Sequence, residues 1–196
     1  MLKIGITGNI GSGKTTVSKI FEVLEIPVFY ADNAAKKVMV EDTILIDALK
    51  SSFGAEAYFK DGTLNRKHIA SIVFNDETQL AKLNSIVHPA VFRAFDTWVG
   101  QVKNAPYVIK EAALLFESSS YKMCDYSVMV TAPLELRMQR VIQRDGLTRA
   151  EVESRNARQF SEEKKIQLAN YVILNDNTEL VIPQVLELHR KFLSFI

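Results

Sequence analysis

The chain has 196 residues, 47% hydrophobic and 24% charged, ordinary proportions for a sequence that packs a core and unlike those of a disordered one. Lys and Arg number 24 against 23 Asp and Glu, a formal net charge of +1, so nothing points to nucleic acid or an anionic membrane as a partner. Cys124 is the only cysteine, which excludes an intramolecular disulfide and a cysteine-based metal cluster and leaves a small buried hydrophobe ahead of a strand.

Residues 2–7 are a short apolar run containing Ile4 and Ile6 and read as a buried strand. That run is too short for the apolar region of a signal peptide, and no uncharged stretch approaches the ~18 residues of a membrane helix. A soluble cytoplasmic protein is expected. Residues 8–13 form a glycine-rich turn, and a helix should start near Lys14, with Val17, Ile20, Phe21 and Leu24 on one face. Residues 27–30 are the second strand, with Asp32 just past its end. From about 34 to 104 no convincing strand occurs. A helical pattern over 76–87 carries Leu80, Leu83 and Val87; His88-Pro89, taken alone, reads as a helix start, and after it a second stripe carries Val91, Phe95, Trp98 and Val102. These aromatics read as core rather than as a ligand box.

Residues 107–110 and 126–131 are further strands, with Glu111 following the first of them. Pro133 stands at the favoured first position of a helix through Leu136 and Val141. Residues 145–159 are polar and charge-rich and suggest a mobile flap, 171–174 are the last strand, and 180–192 a closing helix. Strands alternating with helices imply an α/β fold, a parallel sheet covered on both faces, with 34–104 inserted as a helical lobe after the second strand.

Gly8-Asn9-Ile10-Gly11-Ser12-Gly13-Lys14-Thr15 satisfies G-x-x-x-x-G-K-[ST], and it falls between a strand and a helix, the context that motif requires. Glycines allow successive N–H groups to turn toward an anion, and the helix beginning at Lys14 adds its positive end. Lys14 suits the β- and γ-phosphates, and the Thr15 hydroxyl suits Mg²⁺. The guanine-reading N-K-x-D signature of GTPases is absent. Asp32 and Glu111 both fall at the carboxyl edge of the sheet, where ligands bind; one carboxylate there can accept a proton from an attacking hydroxyl and another can hold Mg²⁺ through water. Asp32 also reads as the cap of a helix from Asn33, and Glu111 as a solvated strand-end charge. Arg137, Arg140 and Arg144 share a helix face, suited to a polyphosphate or else paired with Glu135, Asp145 or Glu151. Arg149, Arg155 and Arg158 put cations in the flap.

Taken together these elements resemble the dephospho-CoA kinase family through nearly the whole chain. The opening run from Ile4 resembles the family's start, with Asn9 where glycine is usual. Tyr30-Ala31-Asp32 resembles its aspartate motif, and Asp61 to Arg66, Val73-Phe74, Leu83-Asn84 and His88-Pro89 follow its helical lobe. Leu114-Leu115-Phe116-Glu117 matches an L-L-F-E element. Arg140 and Arg144, Arg155 and Gln159, and the stretch from Ala169 to Asn175 resemble its lid and its adenine-side loop. Glu111 stands where Asp is usual, Ala113 where Pro is usual, and Asn170 where an aspartate is usual.

The resemblance implies a P-loop NTPase fold of three α/β/α layers, a mostly parallel five-stranded sheet, and a single domain. Its core would be 1–33 and 105–196, its CoA-binding insert about 34–104 and its lid about 140–160. The implied activity is ATP-dependent phosphorylation of the 3′-hydroxyl of dephospho-CoA, with Mg²⁺, by a monomer or weak oligomer. Asp32, Lys14 and Arg140 would be catalytic. Residues 8–16, including Thr16, with Arg144 and Asn175 would bind ATP. Asp32, Arg66, His88, Leu115 and Glu117 would bind the acceptor, and Thr15 and Glu111 would serve the metal. Another P-loop kinase, a nucleotide-binding module without turnover, and a nucleic-acid-binding ATPase are the competing readings.

Overall fold

A computed structural model describes residues 1–74 and 76–196. In chain order its elements are β1 (Leu2–Thr7), α1 (Lys14–Val23), β2 (Val28–Tyr30), α2 (Ala31–Glu41), α3 (Thr43–Phe53), α4 (Arg66–Val73) and α5 (Glu77–Gln101). Then come β3 (Tyr107–Glu111), β4 (Tyr126–Thr131), α6 (Leu134–Asp145), α7 (Arg149–Ala157), α8 (Glu162–Leu168), β5 (Tyr171–Leu174) and α9 (Val181–Leu193). The chain divides into two compact units, one of Met1–Tyr30 with Val102–Ile196 and one of Ala31–Gln101.

The first unit holds a five-stranded sheet in the order β2-β3-β1-β4-β5, every described pairing parallel. Ile4 and Ile6 alternate onto one face and join Val17 and Phe21 of α1 and Val185 and Phe192 of α9 in the main core. Gly5, on the other face, lies against Leu115 and Cys124, where any side chain would collide. Cys124 is half-buried before β4, and burial pushes its thiol up to about 11. The chain leaves β1 between β3 on one side and β4 on the other. That reversal of strand order is where open parallel sheets bind ligands, because the loops diverge there and leave a crevice.

The second unit is helical. Val38, Leu45, Leu49, Phe53, Ile69, Val87, Val91 and Phe95 are among its buried apolar residues. Asp42 caps α3 through Leu45 N at 2.9 Å and pairs with Arg93 of α5 at 2.6 Å; burial acts to raise its carboxyl, and the Leu45 N–H first, with Arg93, holds it below the usual range.

Several sequence expectations are corrected. Pro89 does not open a helix: α5 runs through it for 25 residues, because Val87, Ala90, Val91 and Phe95 on either side of it bury on one continuous face. That burial outweighs the ~3 kcal/mol an interior proline costs. Pro133 is the cap before α6 rather than its first residue, with ψ 140 continuing the extended exit from β4. Helix α2 begins directly after Tyr30, so Asp32 lies in its first turn and does not cap it. Glu111 is the last residue of β3 rather than beyond it, and β5 is an edge strand whose Val172 and Leu174 are exposed. The expected flap contains α7, started by a reciprocal Thr148–Glu151 capping box and anchored through buried Val152 against Met138 and Val141.

Phe21 is wholly buried and meets Tyr107 edge-on at 6.4 Å between ring centroids. Phe21→Ala should lower unfolding free energy by ~3–5 kcal/mol, read as a lower urea midpoint at unchanged slope. A midpoint shift within error would mean that this face carries no stabilising core.

Candidate functional site

The turn at 8–13 is shaped by what lies behind it. Gly11 (φ 80) lies against the carbonyl of Arg137, and Gly13 (φ 90) against the side-chain amide of Asn175. Both take left-handed backbone angles, and a Cβ at either would strike those groups, so glycine is required twice over. Ser12 N bonds Asn9 O at 3.0 Å, which closes the turn, and α1 begins immediately at Lys14. The result is a cleft of about 250 Å³ lined by residues 9–16, Arg140 and Arg144. The first N–H groups of a helix have no partner within it, and a cleft at such a helix start has donors suited to an anion.

Glu111 is 5% exposed, and its Oε1 lies 3.3 Å from Lys14 Nζ. The solvated strand-end charge allowed by the sequence is therefore replaced by a buried ion pair with the lysine of the cradle. Thr15 and Thr16 are exposed in the first turn of α1. Among the described residues no cluster of three or more His, Cys, Asp or Glu is arranged to hold a metal. Mg²⁺ is commonly held by one or two protein oxygens together with substrate phosphates, and a Thr15 hydroxyl beside a phosphate cradle fits that mode.

The arginines of α6 separate into different roles. Arg137 is buried and bonds Ala132 O at 2.9 Å, Ile10 O at 3.3 Å and Asn156 Oδ1 at 2.9 Å, and pairs with Glu162 at 3.2 Å. It braces the cradle from behind and does not join the anion face the spacing suggested. Arg144 is held by Asp145 at 2.7 Å and 2.8 Å. Arg140 lines the cleft, its Nη2 on Asn177 Oδ1 at 2.8 Å. Asn175 Nδ2 donates to Ser12 O at 2.8 Å, joining the loop after β5 to the cradle.

Leu115, expected to meet the acceptor, is wholly buried against Gly5. Glu117, expected beside it, accepts from Phe160 N at 2.8 Å and pairs with Lys165 at 3.0 Å. Lys165 is itself fully buried and also donates to Ala113 O at 2.9 Å. Gln159 Oε1 accepts from Ile10 N at 2.8 Å, and Asn9 Nδ2 donates to Phe160 O at 3.0 Å, so the α7–α8 junction is stitched to the turn. Nothing in the sequence singles out Lys165, which sits in the charged run Glu162 to Lys165. Asp32 and Arg66 are exposed at the starts of α2 and α4, and His88 is half-buried in α5, stacked on Phe92 at 6.3 Å. These three belong to the helical unit and are described within it alone.

A parallel sheet whose first strand runs into a glycine cradle, with a lysine, a hydroxyl and an arginine around the phosphate position, defines a P-loop kinase. Comparison with known proteins narrows the class. Residues 2–180 match the family of dephospho-CoA kinases. The dephospho-CoA kinase of Bacteroides fragilis is 39% identical over 187 residues, covering 95% of this chain and 91% of its own. That of Chlorobaculum tepidum is 36% identical over 205 residues, covering 100% and 97%. The crystal structure of TT1252 from Thermus thermophilus superposes with a TM-score of 0.83 at 33% identity over 100% of this chain and 97% of that one. Shikimate kinase from Bacteroides thetaiotaomicron shares the fold alone, with a TM-score of 0.53 at 14% identity over 98% of each. The chain belongs to the dephospho-CoA kinase family. It is a phosphotransferase with ATP as co-substrate.

Burial holds the Lys165 ammonium below the usual lysine value, and Glu117 acts against that shift. Glu117→Gln should therefore cost ~3 kcal/mol of stability at neutral pH, as breaking a buried pair does. Part of the loss should return as pH rises toward ~10, because folded Lys165 then sheds its proton while unfolded lysine keeps one. Denaturation at the two pH values checks both signs, and a pH-independent loss would mean Lys165 is not charged in the folded chain.

Proposed function

We propose that the chain transfers the γ-phosphoryl group of ATP to the 3′-hydroxyl of the ribose of dephospho-CoA, giving CoA and ADP. The observation that carries the proposal is the cleft formed by residues 9–16 with Arg140, at the strand-order reversal of a sheet whose family acts on that acceptor. Lys14 and the amides of the turn hold the β- and γ-phosphates. Asp32 orients the acceptor hydroxyl and takes its proton; its support is its place two residues after β2, the strand whose last residue pairs in register with Glu111. Arg140 stabilises charge that develops on the transferred group, and Arg144 and Asn175 complete the nucleotide site. Thr15, and Glu111 through water, would hold Mg²⁺, which would supply neutralisation of phosphate charge.

Residues of about 34–104, with Arg66 and His88, receive the acceptor beyond its reacting ribose. The segment of about 140–160 closes over the phosphates and keeps water from taking the phosphoryl group. No helix among the described residues is long and apolar enough to cross a membrane. Both substrates dissolve freely, so a cytoplasmic monomer or weak oligomer without a nucleic-acid partner meets the needs of the reaction.

Steady-state ADP release with ATP and Mg²⁺ should be stimulated by dephospho-CoA far more than by AMP or adenosine, and the product should carry its new phosphate at the 3′ position. Asp32→Asn should leave ATP affinity nearly intact and lower kcat ~10²-fold or more. Wild-type turnover in that variant would remove Asp32 from the chemistry, and equal stimulation by adenosine would remove the acceptor assignment.

A further inference from the structure

We propose that Asn177 is a positioning residue: its side chain aims Arg140 at the nucleotide's phosphates and so couples the loop after β5 to the cradle. The inference deepens the reading above and rests on it for the identity of the anion. Arg140 Nη2 donates to Asn177 Oδ1 at 2.8 Å, while its Nη1 is buried with no hydrogen-bond partner among the described residues. A guanidinium stays charged and presents fixed donors, and a buried charged donor without an acceptor is costly. Arg140 forms the cleft wall together with residues 9–16, so a phosphate in that cleft supplies the missing acceptor.

Asn177 stands at φ 72, a left-handed angle where glycine carries no strain and asparagine carries little. Its side chain is not needed to fold the turn. Asp176 Oδ1 does that, accepting from Thr178 N at 2.9 Å, Thr178 Oγ1 at 2.7 Å and Glu179 N at 3.2 Å. Asn175 ties the same loop down, through Thr131 O at 2.8 Å and Ser12 O at 2.8 Å. Neighbouring residues thus have separate tasks: Asn175 grips the cradle, Asp176 shapes the turn, and the Asn177 amide is left for the arginine. Its neutrality matters. Arg144 is held by the Asp145 carboxylate, which offsets its charge, whereas an amide oxygen fixes Arg140 in direction and leaves its whole charge for an incoming anion.

Asn177→Gly is the clean test, since glycine keeps the backbone angle and deletes only the acceptor. ATP affinity measured by calorimetry should weaken ~10-fold, the scale of one charge-assisted hydrogen bond, with kcat/KM for ATP falling at least as far and the melting temperature essentially unchanged. In an Arg140→Ala background the same Asn177 change should have no further effect on ATP affinity. Unaltered ATP affinity in Asn177→Gly, or an equal penalty with and without Arg140, overturns the proposal. ATP binding needs no acceptor, so the two readings fail separately. A wild-type chain that binds ATP but leaves dephospho-CoA untouched overturns the acceptor assignment and still reports on this coupling.

Discussion

The glycine turn at 8–13 is pressed from two directions, and the rest of the site depends on that pressure. Arg137's carbonyl closes on Gly11 and the Asn175 amide closes on Gly13. The Arg137 guanidinium then reaches round to Ile10 O, while Gln159 takes Ile10 N and Asn9 takes Phe160 O. Elements far apart in sequence, α6, the α7–α8 junction and the loop after β5, meet around one short turn. The main-chain donors are therefore held in place before any phosphate arrives, and little ordering entropy is lost on binding. Pre-set donors are also what stabilises charge most strongly in a transition state, because they need not reorganise as it forms.

The electrostatics of the cradle follow from the same crowding. Glu111 is carried into the site by β3, in register with Ile6 of β1, and at that depth its charge requires a partner. Lys14 provides one. In the proposed reading a polyphosphate shares the same ammonium, which brings the Glu111 carboxylate and the phosphates to one cation. The proposed reading places Mg²⁺ within its reach, through water. Cradle lysine and buried carboxylate thus form one balanced unit, in which the charge brought by the substrate is matched by the charge brought with it.

Much of this was legible in the sequence. The runs at 2–7, 126–131 and 171–174 were read with the ends they have in the structure, since buried parallel strands are short apolar blocks bounded by turns. The turn was legible because its glycines are required by local backbone geometry, which a short motif records. What stayed hidden depends on partners distant in sequence. Pro89 reads as a helix start until the burial on both sides of it is known. Lys165 reads as one more surface charge until Glu117 and Ala113 O are seen around it. Nothing local singles out Asn177, whose side chain meets Arg140 only in the fold.

The arginines of α6 show why spacing alone could not assign roles. Positions 137 and 144 are separated by nearly two full turns, so they project in almost the same direction, with 140 close beside them. Direction is therefore common to all of them. Depth along the axis is not: a rise of ~1.5 Å per residue puts Arg144 about 10 Å beyond Arg137. At the near end the side chain meets the back of the cradle and the α7–α8 junction and becomes a buried brace. At the far end it meets Asp145 on its own helix and stays largely exposed. Only the middle one combines a place on the cleft wall with a neutral partner, and that combination leaves its charge available to a phosphate. A helical pattern specifies an angle; chemistry is decided by how far along the helix a residue sits and by what the rest of the chain brings to that height.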